Sequence, residues 1–324
     1  MSEQYHPNSD QVAFADSVAK SLRSLLPLNR LHLSNEESPQ TWAALHELGV
    51  LGISVSEDRG GSGLGATEEA LIVIELGRRV VAPSVLSTIG ATHVRTAANY
   101  VRDTAKRRVA ACYRHGTKIV CIDDSHAELL LARSESGAEL YERPASSRVL
   151  DEKLWASRLL ELEPAASLAK TSADEAVRLR LLDAAVLAGI ADAALEMAVA
   201  YAKLREQFGR SIGSYQAVKH HCANMALAAR SAIDQVSFAA VAVDSERADA
   251  MLQVENAFFV AGTAALENCG KNIQVHGGIG FSDEADPHQL LKRARLFVAI
   301  AGGLEAALTR IAALPAAEAV RLRA

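Results

Sequence analysis

The chain has 324 residues, 49% hydrophobic but only 5% aromatic, with 34 Lys and Arg against 39 Asp and Glu for a formal net charge of −5. That length accommodates a large core divided among two or three domains. The mild acidity and the absence of a basic stripe interleaved with aromatics argue against nucleic-acid binding.

The opening MSEQYHPNSD carries no charged-then-apolar leader, and no apolar run is expected to reach membrane-spanning length. Four cysteines (Cys112, Cys121, Cys222, Cys269) show neither CxxC nor zinc spacing, and read as buried thiols of a cytoplasmic protein.

Helical spacing predicts a first helix over Gln11–Leu26, stopped near Pro27, and a second that Ser38-Pro39 opens and Gly49 ends. The Gly-rich stretch LGISVSEDRGGSGLG lacks the Lys-Ser/Thr of a phosphate loop and any strand-Gly-x-Gly-x-x-Gly-helix context, and reads as a connection. Ala66–Val80 is strongly amphipathic, and Pro83 starts a helix running to about Tyr100.

Between about Arg108 and Pro164 the pattern changes to short β-compatible runs at 109–113, 118–122, 128–132 and 139–141, separated by Gly, Asp, Ser and Pro. From Ser172 it is helical again. A capped helix runs to about Gln207, then others follow over Ser214–Asp244, Asp249–Gly270 with a Gly C-cap, and about Asp286–Ala301. Long helices joined by short turns predict a four-helix bundle. The fold class is mainly α with a small β-domain: an N-terminal helical domain over 1–105, a reduced β-domain over 106–170 and the bundle over 171–324.

The most informative stretch is Arg205–Gln216, REQFGRSIGSYQ. It reads as a helix C-terminus, a Gly-containing turn and a new helix capped by Ser214, and it gathers a planar cation, amides and an aromatic ring. Such a junction suits a ligand carrying phosphates and adenine. His220-His221 is not a metal pair, because adjacent helical positions diverge; no metal site is expected.

This stretch resembles the acyl-CoA dehydrogenase signature, in which an Arg-x-x-Phe-Gly turn, an aliphatic residue and an aromatic-Gln pair cross a subunit boundary to hold a neighbour's FAD. Downstream, Gln274-Val275-His276-Gly277-Gly278-Ile279-Gly280-Phe281 is similar to the family's Gln-x-x-Gly-Gly-x-Gly-aromatic segment, and Ser56–Gly63 to its Pro-Glu-x-x-Gly-Gly-x-Gly connection. The resemblance implies FAD contacts at Arg205, Gln207, Phe208, Ile212, Tyr215, Gln216, Gln274, Gly277 and Gly278, with the glycines letting the main chain approach the diphosphate.

Other family features are missing. Neither the Thr-Glu-Pro-x-x-Gly-Ser-Asp nor the Trp-Ile-Ser/Thr segment that packs on the flavin occurs. The two family positions for the catalytic Glu fall on Ala301 and on Leu179, the latter followed by Arg180. The Thr that often helps hold the flavin is Gly303, and an Arg-Asp-Ala segment reads Lys292-Arg293-Ala294. Glu175 and Glu305 are the nearest acids for a relocated base.

This pattern of retention and loss resembles the short subunit of bacterial α2β2 acyl-CoA dehydrogenases of steroid catabolism. The resemblance implies a longer acyl-CoA dehydrogenase-like partner that supplies the Glu, an acyl-CoA substrate and an electron-transfer flavoprotein as oxidant; composition and hydropathy lead us to expect no nucleic-acid or membrane partner. The alternatives are a self-sufficient homo-oligomeric flavoenzyme and a flavin-free scaffold.

Overall fold

The computed structural model describes residues 5–32, 36–94, 107–134, 137–154, 157–164 and 166–315. It begins with four helices: α1 (Ser9–Leu25), α2 (Pro39–Glu47), α3 (Ala66–Arg78) and α4 (Pro83–Ala91). Asn8 forms a capping box with Gln11 at the start of α1, and Ser38 Oγ accepts from Thr41 N at α2. The predicted extension of α4 to Tyr100 falls partly on residues 95–100, outside the described residues. The Gly-rich connection folds on itself: a Cβ on Gly61 would lie 2.1 Å from the Val55 carbonyl, so glycine here serves close packing.

Seven strands follow: β1 (Val109–His115), β2 (Lys118–Ile122), β3 (Leu129–Ser134), β4 (Gly137–Glu142), β5 (Arg148–Leu154), β6 (Ser157–Leu162) and β7 (Ala169–Lys170). They make one sheet in the order β5-β6-β2-β1-β3-β4-β7, antiparallel except for β1 on β3. Sequence reading found only four runs. It missed β5 and β6 because RVLDEKL and SRLLEL place charges irregularly among their apolar residues, and their pairing carries two register shifts.

The rest is α5 (Ala173–Leu204), a two-residue hairpin β8 (Glu206–Gln207) and β9 (Arg210–Ser211), α6 (Gln216–Asp244), α7 (Ala250–His276), α8 (Pro287–Ile300) and α9 (Leu304–Ala313). Two predicted ends are corrected. Ser214 is not a cap: it closes a 3₁₀ turn, its Oγ donating to the Ser211 carbonyl, and α6 begins one residue after Tyr215. Gly270 does not end α7, which continues to His276, with Gly277 at φ 65° as its C-cap. Burial of Asn272, Ile273 and Val275 outweighs the roughly 1 kcal/mol helical cost of one glycine.

Helix α5 is the axis, packed on α3, α6, α7 and α8. It meets α3 backbone to backbone: a Cβ on Gly77 would lie 2.3 Å from Val186 O, and one on Gly189 would lie 2.0 Å from Ile74 O. The N-terminus of α3 is capped from the far end of α6, where the Asp244 carboxylate accepts from Ala66 N, Thr67 N and Thr67 Oγ1 at 2.6–2.8 Å. Nearby, Glu69 is buried among Ser54, His93 and Arg178. Burial pushes its carboxyl up, but His93, Arg178 and Ser54 together outweigh burial and hold it below the ordinary value.

The expectation that no apolar run reaches membrane-spanning length is also corrected. By length and composition α5 and α6 do, with mean hydropathies of 1.6 and 1.3, and α8 with α9 would pass as a pair bent by 42°. In α5 that apolarity is spent inside the protein, where residues from Leu179 to Ala191 are buried without interruption.

Candidate functional site: the two ends of the central helix

At its C-terminus α5 delivers the chain to the surface. Residues 203–210 are all exposed. The hairpin pairs Glu206 with Ser211 and Gln207 with Arg210, so Phe208 and Gly209 are its central residues, at φ 53° and 78°. Positive φ at both positions is the type I′ turn that follows strand twist most easily. Glycine adopts it freely, whereas phenylalanine does so under strain of about 1–2 kcal/mol. The turn holds that strained ring 93% exposed.

The turn is held by its own surroundings. Ile212 N donates to the Arg205 carbonyl at 2.8 Å, and Ile212 packs against the core. Tyr215 Oη donates to the Gln207 carbonyl at 3.1 Å, and the Arg210 guanidinium lies 4.1 Å over the Tyr215 ring. Tyr215 therefore shapes the hairpin, while the Gln207 amide donates to its neighbour Glu206 O. Arg205 and Gln216 are exposed, and among the described residues neither side chain has a hydrogen bond or ion pair.

The second motif lies beside the first. Tyr201, whose carbonyl accepts from Arg205 N, stacks on His276 with centroids 4.0 Å apart. His276 Nδ1 donates to the Asn272 carbonyl, and burial holds the imidazole below its usual value. Just past His276, a Cβ on Gly277 or Gly278 would meet nothing within 4 Å, leaving open main chain. Gln274 is exposed one turn back, with Lys271 Nζ donating to its Oε1 at 3.2 Å. Leu204, Ile279 and Phe281 are exposed here too. Sequence order separates the motifs by some 60 residues; the Tyr201–His276 stack joins them. That stack had no sequence signal beyond a Tyr one turn before Arg205.

The first half of α5 is the opposite environment. Leu179 and Ala301 are buried, and Arg180 Nη1 donates to the Ala301 carbonyl at 2.6 Å. Arg180 lies 4.6 Å over the Phe258 ring and 3.3 Å from Glu255, which also takes a fork from Arg310 at 2.8 and 3.1 Å. Arg133 pairs with buried Asp183 at 2.5 Å. Burial outweighs these partners, pushing Arg180 down and Asp183 up. Between α4, β1, β3, α5 and α8 the remaining space is about 10 Å³, lined by Leu86, Arg133, Leu182, Asp183, Phe297 and Ile300 among others. That is room for about one water.

A larger hollow of about 300 Å³ is lined by Leu179, Arg180, Glu255 and Arg310. Neither Glu175 nor Glu305 lines either space. Glu175 closes a capping box with Ser172, and Glu305 is exposed in the first turn of α9. Sequence reading missed Glu255, because nothing marks one acid on a helix as paired to arginines 75 residues before it and 55 after it.

Residues 8–111 match the acyl-CoA dehydrogenase N-terminal domain and residues 170–314 the acyl-CoA dehydrogenase C-terminal domain. The chain belongs to the acyl-CoA dehydrogenase family, whose members are FAD-dependent oxidoreductases acting on CH–CH bonds. Among curated relatives, acyl-CoA dehydrogenase FadE34 of Mycobacterium tuberculosis is 33% identical in an alignment 298 positions long that covers 84% of this chain and 42% of that protein. Acyl-CoA dehydrogenase IpdE2 of the same organism is 29% identical, over 78% of this chain and 79% of that protein. The chain thus spans less than half of the first and about four-fifths of the second. Among solved structures, the ChsE4-ChsE5 complex from M. tuberculosis aligns with a TM-score of 0.76 at 21% identity, covering 97% of this chain and 100% of that one. The Tcur3481-Tcur3483 steroid ACAD G363A variant aligns at 0.75 and 22%, covering 94% and 96%. At such identity these two attest the fold.

Proposed function

We propose that this chain is the base-less subunit of a heteromeric acyl-CoA dehydrogenase, in which a longer partner chain carries the catalytic Glu, the flavin-ring pocket and most of the CoA site. The observation that carries this reading is the contrast along α5. Neither buried family base position, Leu179 or Ala301, carries an acid, and the space between α4, β1, β3, α5 and α8 is filled, while a strained aromatic turn is held fully outside. A ring held outside at such cost implies a surface beyond this chain that covers it.

The residues present fit the ADP half of FAD, but not its ring. Arg205 offers an uncommitted cation, Gly277 and Gly278 offer open main chain, and Phe208, with Gln207, Gln216 and Gln274, offers a flat ring and amides. The space of about 10 Å³ beside Leu182, Asp183 and Phe297 admits neither a flavin ring nor an acyl chain. Bound FAD supplies the hydride acceptor for α,β-dehydrogenation of a CoA thioester. This chain's contribution is binding: Arg205 would neutralise diphosphate charge, and the glycines would let backbone approach it.

Three elements of the proposal rest on the relatives' names and the family resemblance: the α2β2 assembly, a steroid-derived acyl-CoA, and delivery of electrons to an electron-transfer flavoprotein; a cytoplasmic location rests on the cysteine pattern alone. The self-sufficient reading is disfavoured by the positions of Glu175 and Glu305.

The test is flavin stoichiometry. We expect a colourless chain alone and about one FAD per pair of unlike chains when it is co-purified with its partner. A yellow homo-oligomer that oxidises an acyl-CoA unaided would overturn the proposal.

A further inference from the structure

The small sheet carries a feature that flavin binding does not use. Its outer core gathers Ala110, Cys112, Ile119, Cys121, Leu130 and Leu160 among others, with both thiols fully buried. β1 and β2 join through Gly116 and Thr117, and His115 pairs with Lys118. Positive φ falls only on the first turn residue, Gly116 at 61°, as in a two-residue II′ hairpin.

In such a hairpin the pair flanking the turn is hydrogen-bonded, and bonded and non-bonded pairs then alternate. Counting back from His115–Lys118, Arg114–Ile119 is non-bonded, Tyr113–Val120 bonded and Cys112–Cys121 non-bonded. Non-bonded pairs have the closer backbones, with Cα atoms about 4.5 Å apart. That falls inside the roughly 4.4–6.8 Å range that a disulfide spans. Directly opposed residues also point to the same face, as their shared core cluster requires.

We propose that Cys112 and Cys121 form an oxidative modification site, closed as a cross-strand disulfide by exchange with a small-molecule disulfide of the glutathione type. One protein thiolate attacks the reagent S–S bond and releases one thiol; the second attacks the resulting mixed disulfide and releases another. The two cysteine sulfurs are oxidised, the reagent S–S bond is reduced, and the two protons leave on the released thiols.

The thiols, Cys112 pushed well up by burial first and by Cys121 second, are inert while the sheet is closed. Exchange therefore proceeds from openings of the β5–β6 side, where the register is irregular and Val149 and Leu150 are exposed. Once formed, the bond ties together the two strands at the centre of the sheet.

The test uses the co-purified complex, incubated with oxidised glutathione, denatured, alkylated and digested without reduction. The expected result is a cross-linked peptide pair containing Cys112 and Cys121, two fewer alkylated thiols in this chain, and full reversal by dithiothreitol. Amide exchange across 109–122 should slow in the oxidised sample. Cys121→Ala should abolish the cross-link, and Cys112→Ala gives the reciprocal control. Four alkylatable thiols after long incubation would overturn the proposal, as would oxidation confined to a mixed disulfide on half-exposed Cys222.

Discussion

The two ends of α5 belong to one continuous helix of 32 residues, about 48 Å long, yet they obey opposite rules. At the N-terminal half, Arg180 is engaged by Ala301 O, Asp183, Glu255 and the Phe258 ring. At the C-terminal end, Arg205 is exposed and has no side-chain partner among the described residues. A buried guanidinium must be paired or it destabilises the fold, whereas an exposed one loses little by waiting for a ligand. The comparison separates arginines that hold this chain together from those kept for something else.

The largest expected effect breaks the interior end. Glu255→Ala leaves Arg180 and Arg310 facing each other without their shared acid, and should destabilise the chain by about 3–5 kcal/mol in denaturant unfolding. At the exterior end, Arg205→Ala should leave the unfolding midpoint unchanged while FAD retention by the complex falls roughly tenfold or more, because a charge-assisted phosphate contact is lost. Unchanged flavin occupancy would remove Arg205 from the proposed FAD contacts.

Between the two ends, Asp244→Ala deletes the only side-chain acceptor among the described residues for the first amides of α3, at an expected cost of about 1–2 kcal/mol. A further test is the acid limb of stability. The Glu69 carboxyl is held below its ordinary value of 4.5, so its contribution is complete above that value and is lost as pH falls through the lower folded value. Glu69→Gln should flatten the stability profile below about pH 4.5; an unchanged slope would show that other carboxylates dominate. The smallest effect is Phe208→Gly. Relief of left-handed strain offsets the added chain entropy, so stability should stay within about 0.5 kcal/mol while flavin affinity drops.

Much of this was legible in the amino-acid order. Two of the bundle helices announced their starts through Ser172 and Asp286-Pro287, because caps and prolines act locally. The second motif and the family base positions at Leu179 and Ala301 were legible only through the resemblance to the family, whereas the turn at Arg205–Gln216 could also be read from its residue types. The end of α7 was misplaced because a glycine in a helix is a local penalty that packing can override. Strands β5 and β6 were missed because their pairing partner, not their own pattern, makes them strands.

The sequence by itself determined the helical character, the order of elements and the residue types at each family position, since these follow from short-range backbone preference and identity. Only the tertiary structure decided that Tyr201 and His276 bring two distant motifs together. The same holds for Asp244 capping a helix 178 residues earlier and for Glu255 serving two arginines that the order of residues never places near it. These are contacts between side chains far apart along the chain. Their existence depends on how α3, α5, α6 and α7 cross, and no local signal fixes that; between α3 and α5 the close approach rests on Gly77 and Gly189.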